Sequence, residues 1–148
     1  MFDIENVDRR VEMFIFDIFI AIYKIKFVVK DFENGDDLLF SWKDWDTVIR
    51  EFEIIGEASK YLLKDELLEK NYRKVVDFRN LISHSYFGIS PQKVYEIGRD
   101  NLDELLGIIT NLIKNIKDPL KTELIESFIE DNKFIDFIVK ELGSLKNV

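Results

Sequence analysis

Apolar residues recur at three- and four-residue steps through most of this 148-residue chain, and no stretch alternates strictly between apolar and polar residues. That spacing places apolar side chains on one face of an α-helix, whereas a half-buried strand needs a two-residue period. Two prolines and six glycines interrupt the chain, so breaks are few. The sequence therefore predicts an all-α fold of long packed helices.

The apolar spacing divides the chain into five helical segments. They cover about residues 7–30, 41–63, 71–86, 91–117 and 119–142. Residues 32–40 are expected to form a turn or loop, and residues 64–71 a short helix or linker. The last segment has a weak point at residues 130–132, where two acidic residues precede an asparagine.

Residues at the segment ends agree with these boundaries. Expected helix starts are Ser41 with Asp44 and Ser90 with Pro91, and expected stops are Gly88 and Gly143. The first helix is apolar on more than one face, because Phe16, Ile20 and Phe27 lie outside its main stripe. A helix of this kind is covered on two sides, and a second subunit is one candidate for the second cover.

No membrane segment or secretory leader is expected. The longest unbroken apolar run in the first helix, residues 18–23, has six residues, and a membrane-spanning helix needs about 20. The start MFDIENVDRR lacks the charge and apolar run of a signal peptide. The chain has no cysteine, which excludes disulfides and thiolate metal sites and favours the cytoplasm.

The net charge of −8 argues against nucleic-acid binding by the chain as a whole, because binding to nucleic acid is driven by Lys and Arg. Residues 70–99 are an exception, with six basic and two acidic residues and hence a local balance of +4. This basic segment surrounds the only histidine of the chain, His84, in the stretch RNLISHSYFGIS.

The residues around His84 could form a catalytic site. Asn80 and His84 are four residues apart and share a helix face, whereas Arg79 and His84 lie about 140° apart. Cleaving RNA without a metal needs a base, an acid and a cation. A single histidine supplies one proton-transfer group, so a symmetric dimer that contributes two histidines and two arginines would complete the set.

Simpler interpretations of the same residues remain open. His84 could cap the C-terminal end of its helix, Arg79 could lie in solvent, and Tyr86 could be a half-buried aromatic residue. Gly56 is explained by close helix packing, and Glu57 by solvation or by pairing with an arginine. No metal site is expected, because the carboxylates are scattered and there is no second histidine.

Arg79, Asn80, His84 and Tyr86 together resemble the Arg-(four residues)-His-X-Tyr signature of the HEPN superfamily, and of its HepT-like toxin family in particular. The upstream stretch TVIREFEIIGEASKYL, residues 47–62, is similar to the second helix of that family. The continuations YFGIS and VYEI are also similar. The resemblance covers roughly residues 7–117, and residues 118–148 extend beyond the family domain with a charge balance of −3.

The resemblance implies an up-and-down bundle of four to five main helices in residues 1–117, with residues 118–148 packed on it as a helical extension. It implies a homodimer that acts as a metal-independent endoribonuclease toxin without a cofactor. Arg79 and His84 would be catalytic, with Asn80 assisting, and a minimal nucleotidyltransferase antitoxin would adenylylate Tyr86. Residues that could support the site are Glu57, Arg50 and Ser83. Two alternatives remain: a non-catalytic module that binds a nucleotide or the nucleotidyltransferase, and a purely structural helical dimer.

Overall fold

The computed structural model describes residues 9–84 and 88–147, and only the backbone of His84. Eight α-helices occur in these residues: α1 (Val11–Val29), α2 (Gly35–Phe40), α3 (Trp42–Lys64), α4 (Arg73–His84), α5 (Pro91–Asp100), α6 (Asp103–Lys114), α7 (Leu120–Asp131) and α8 (Asp136–Ser144). Short 3₁₀ turns, Lys70–Tyr72 and Leu145–Asn147, precede α4 and follow α8. The described residues contain no strand, and the all-α prediction is confirmed.

Helix α1 lies at the centre of the bundle, because it is buried on more than one face. It packs against α3 and also contacts α5, α6 and α8. The ring of Phe16 stacks on Phe128 with centroids 4.9 Å apart, and Phe27 stacks on Phe137 at 4.0 Å. The second apolar face of α1 is therefore covered by α7 and α8 of the same chain.

Two expected boundaries in the first part of the chain are wrong. Helix α1 begins at Val11 rather than near residue 7, because Arg10 has extended backbone angles (φ −72°, ψ 148°). Residues 35–40, expected in a loop, form α2, whose start is capped by the Asn34 side chain accepting the Asp37 N–H at 2.9 Å. Helix α3 begins at Trp42 as expected, but the Ser41 hydroxyl donates to the Asp44 carboxylate instead of capping a backbone N–H.

The segment expected at residues 91–117 is two helices, α5 and α6, separated at residues 101–102. Its start is as expected, since the Ser90 hydroxyl accepts the Lys93 N–H at 3.3 Å. The weak point expected after residue 130 is confirmed, because α7 ends at Asp131 and α8 begins at Asp136. Gly143 does not stop the last helix, which runs on to Ser144.

The third segment begins as a 3₁₀ turn and becomes α4 at Arg73. Its expected end, Tyr86, is one of residues 85–87, which lie outside the described residues, and the expected stop, Gly88, follows them in a turn. Among the residues that the structure covers, no helix is both long enough and apolar enough to span a bilayer.

Candidate active site

Helix α4 is held against α3 by its apolar side chains. Ile82 is buried, and the ring of Phe78 meets Phe52 of α3 edge to face with centroids 5.2 Å apart. This packing directs the opposite edge of α4 towards solvent, where Asn80 and Leu81 are exposed. One face of this short helix therefore packs on α3, and the other is accessible to solvent.

Gly56 of α3 allows the two helices to approach closely at Arg79. A methyl group on Gly56 would lie 2.5 Å from Arg79 Cγ and closer still to its Cβ. The close packing that the sequence predicted at Gly56 is therefore present, and the residue that fills the space is the arginine of the candidate site. The aliphatic stem of Arg79 is thus held by packing against Gly56, independently of the contacts that its guanidinium makes.

The Arg79 side chain is 29% exposed, and its guanidinium has two polar partners. Its Nη2 lies 3.3 Å from the Glu57 carboxylate, and its Nη1 donates to Asn80 Oδ1 at 3.1 Å. Its Nε is buried and has no hydrogen-bond partner among the described residues. Of the two interpretations of Glu57, the arginine-paired one is present, and Lys60 lies 3.6 Å from the same carboxylate.

The remaining predicted site residues are placed as follows. Ser83 is half-buried on the last turn of α4, and His84 ends that helix, one turn after Asn80. The side chain of His84 and all of Tyr86 lie outside the described residues. Arg50 is exposed on α3, and within the described ranges no hydrogen bond or ion pair joins it to Arg79.

A groove of about 590 Å³ lies beside Asn80, between the end of α3 and the start of α4. Its lining is basic on an apolar floor and consists of Lys60, Leu63, Lys64, Lys70, Arg73, Val76 and Asn80. Lys70 and Arg73 belong to the basic segment of residues 70–99. Lys60 and Lys64 lie outside that segment on the preceding helix, and they join the groove only because α3 packs on α4.

Other basic residues of the segment 70–99 face elsewhere. Lys74 and Lys93 line a separate cavity of about 410 Å³ that also includes Tyr72 and Glu104. The Tyr72 hydroxyl donates to the Glu104 carboxylate. Burial, and to a smaller extent this hydrogen bond, raises the pKa of Tyr72 to about 12. Arg99 pairs with the adjacent Asp100 at 2.6 Å. The local charge of +4 is thus divided between surfaces, and only part of it lies beside Asn80.

Helix α3 also carries a buried carboxylate, Glu51, which was not among the expected site residues and has no described contact with Arg79. Glu51 is 5% exposed, and burial raises its pKa, while the charges of Lys24 and Arg50 act in the opposite direction. Across residues 9–84 and 88–147, no group of His, Asp and Glu side chains is arranged to hold a metal ion.

Comparison with known proteins finds a family model and curated relatives that match this chain. A family model described as "Ribonuclease HepT-like" matches residues 18–112, which is more than half of the chain and runs from α1 into α6. A Methanocaldococcus jannaschii protein named "Putative RNase MJ1380" is 27% identical over 100 residues, covering 66% of this chain and 91% of its own.

A second protein of the same organism, "Putative RNase MJ0127", is 29% identical over 115 residues, which cover 74% of this chain and 92% of its own. No solved structure matches the chain significantly. Helices α7 and α8 lie beyond the residues that the family model matches.

Proposed function

The chain belongs to the ribonuclease HepT-like family, and on that basis we propose that it is a metal-independent endoribonuclease whose active site is completed by a second copy of the chain. The observation that carries the proposal is the arrangement of Arg79. Its stem is fixed against Gly56, and its guanidinium is oriented by Glu57 and Asn80 while remaining partly exposed. A preorganised cation of this kind stabilises negative charge that develops on a phosphate.

The reaction is an internal displacement at phosphorus. A base takes the proton of the RNA 2′-hydroxyl, the O2′ atom forms a bond to phosphorus, and the bond from phosphorus to the 5′-oxygen breaks. An acid gives a proton to the departing 5′-oxygen, which leaves a 2′,3′-cyclic phosphate and a 5′-hydroxyl. Neutral and protonated histidine fill the two roles near pH 7, so two copies of His84 serve as base and acid.

Arg79 stabilises the negative charge that accumulates on the non-bridging phosphate oxygens. Asn80 Oδ1 already accepts a hydrogen bond from Arg79, which leaves its amide N–H groups to donate to the phosphate. Glu57 acts as a positioning residue through Arg79, and Ser83 supports the turn that ends in His84. Arg50 has no role in this proposal, because its described contacts do not bring it to Arg79.

The proposed regulation acts on Tyr86, two residues after His84. A minimal nucleotidyltransferase, the antitoxin of the pair, would join the Tyr86 phenol oxygen to the α-phosphate of ATP and release pyrophosphate. The added group brings bulk and negative charge next to His84, and both oppose entry of an RNA backbone. We place this toxin and antitoxin pair in the cytoplasm with its RNA substrate.

The proposal is tested by incubating purified protein with a mixed RNA substrate in EDTA at low salt. Wild type is compared with His84→Ala and with Arg79→Lys, which keeps the charge but loses the planar fork. We expect cleavage to 2′,3′-cyclic ends by wild type and a loss of about 10²-fold to 10⁴-fold in His84→Ala. Cleavage that survives in His84→Ala, or that requires a divalent metal, contradicts the mechanism.

Two further measurements make the test complete. Sedimentation of the same samples reports whether the active species is a dimer, and intact mass reports whether Tyr86 carries an adenylyl group. Absence of cleavage by an unmodified dimer, together with retained binding of the nucleotidyltransferase by His84→Ala, would identify a non-catalytic binding module instead.

A further inference from the structure

Apart from Asn80, the residues that line the basic groove have no part in the chemistry described above. The groove is lined by Lys60 and Lys64 from α3, by Lys70 from the 3₁₀ turn and by Arg73 from the start of α4. We infer that this groove binds the sugar–phosphate backbone of the RNA strand on one side of the scissile phosphate. The inference rests on the proposed function and adds a second binding region to it.

The charge of the groove supports an anionic ligand. The chain carries a net charge of −8, yet four cations and no carboxylate line this one groove. Lys64, Lys70 and Arg73 are exposed and form no ion pair with any residue in the described ranges. Cations that repel one another across a groove are stabilised when an anion occupies it, and phosphates are suitable anions because their binding releases counterions.

Acidic residues are close in sequence but do not line the groove. Asp65, Glu66 and Glu69 lie in the connection that follows α3 and are exposed. Glu57 lies 3.6 Å from Lys60, which leaves that lysine partly neutralised. The binding contribution is therefore assigned chiefly to Lys64, Lys70 and Arg73.

The register of α4 connects the groove to the candidate active site. Arg73, Val76, Asn80 and His84 follow one another at three- and four-residue steps and so occupy one face of the helix. From Arg73 to His84 the helix axis advances about 16 Å at 1.5 Å per residue. Successive phosphates of a stacked strand are roughly 3.4 Å apart along its axis, so this length accommodates several of them.

The floor of the groove fits a nucleic-acid strand as well. Leu63 and Val76 provide apolar surface between the cations. Apolar surface of this kind can contact sugars and bases without reading their sequence, and phosphate contacts likewise carry no base information. The groove is thus expected to increase affinity and to fix the direction of the strand, without selecting a sequence.

The test measures binding separately from cleavage. In a His84→Ala background, fluorescence anisotropy gives the dissociation constant of a labelled 12-nucleotide RNA and of a 4-nucleotide RNA between 50 and 300 mM salt. The test variant is Lys64→Gln with Arg73→Gln. The control is Lys114→Gln with Lys117→Gln, which makes the same change in net charge at exposed positions outside the groove.

We expect the test variant to bind the 12-nucleotide RNA roughly tenfold more weakly at low salt, with a salt dependence shallower by about 1.4, or roughly 0.7 for each lost phosphate contact. The affinity gained between four and twelve nucleotides should shrink in the test variant and persist in the control. Surface substitutions of this kind change stability little, and matching thermal midpoints verify that both variants are folded.

Three outcomes overturn the inference. They are a test variant with the salt dependence of the parent, a control that loses as much affinity as the test variant, and a loss that is the same for both RNA lengths. Failure of the ribonuclease proposal would be recognised separately, as absent cleavage by the protein that retains His84 together with groove-dependent RNA binding by the His84→Ala background.

Discussion

Gly56→Ala is expected to destabilise the protein and to displace Arg79 at the same time. The added methyl group would lie 2.5 Å from Arg79 Cγ, whereas ordinary carbon contacts begin near 3.4 Å. The two helices must therefore separate locally by more than about 0.9 Å, because Arg79 Cβ lies closer still and the close-packed interior cannot absorb the overlap. The flexible end of Arg79 gives no relief, since its Cβ is in contact as well.

The expected magnitudes follow from that displacement. Overpacking a helix contact of this kind costs about 1–3 kcal/mol, and the better helix propensity of alanine offsets about 1 kcal/mol of it. We expect a net loss of up to about 2 kcal/mol in the free energy of unfolding. A shift of about 1 Å in a positioning side chain can reduce catalysis about 100-fold, so RNA cleavage should fall by that order.

The matched control for this prediction is Gly107→Ala on α6, where an added methyl group meets no atom within 4 Å. Alanine at that position should stabilise the helix by up to about 1 kcal/mol and leave cleavage unchanged. Urea denaturation and the EDTA cleavage assay are applied to both variants. If Gly56→Ala is as stable and as active as Gly107→Ala, the close approach of α3 and α4 does not position Arg79 and the reasoning fails.

Four further predictions concern the scaffold. Burial raises the pKa of Glu51 above its ordinary value of 4.5. The stability that the protonated carboxyl gives below that value is therefore lost as the pH rises through the raised pKa of the folded state. In urea titrations, Glu51→Gln should be more stable than wild type at pH 8 but not at pH 4. Tyr72→Phe should remove a tyrosine that ionises near pH 12 in absorbance titrations and should cost about 1 kcal/mol through loss of the bond to Glu104. Glu66, just after α3, has a φ of 59°, and the next N–H, that of Leu67, donates to the Leu62 carbonyl at 2.8 Å. Glycine adopts this left-handed backbone conformation without the steric cost of a side chain. Glu66→Gly should therefore stabilise the protein by about 1 kcal/mol and raise Tm by about 3 °C in calorimetry. Phe128→Ala should cost about 3–5 kcal/mol in urea denaturation, because it removes the ring stacked on Phe16; a loss below 1 kcal/mol would mean that α7 contributes little to the core.

The sequence predicted the fold class because the apolar period is a local property, but it misplaced elements whose boundaries depend on tertiary packing. Residues 34–37 were expected to form a turn. In the structure the Asn34 side chain instead caps the start of α2. The apolar repeat continues across residues 91–117, so it did not reveal the break at Asn101. Asp100, Asn101 and Asp103 are turn-forming residues, and they were the signal that could have shown it.

The candidate site was predictable in its residues but not in its contacts. Gly56 was expected to mark close packing, yet its partner Arg79 is 23 positions away and is brought to it only by the crossing of α3 and α4. Lys64 was missed for the same reason, since a charge count over a contiguous window cannot include a neighbouring helix. Glu51 stands in the acidic sequence EFE, which is typical of a solvated face, and its burial follows from the position of α1.

The stacking of Phe16 on Phe128 joins parts of the chain that are 112 residues apart. A ribosome working at about 5–20 residues per second produces Phe128 roughly 6–22 seconds after Phe16. Until that interval ends the emerging α1 lacks the ring that covers its second apolar face, even once α3 and α4 have been synthesised. The nascent polypeptide is therefore exposed to aggregation and to chaperone capture in this period, and its core closes only once α7 has left the exit tunnel.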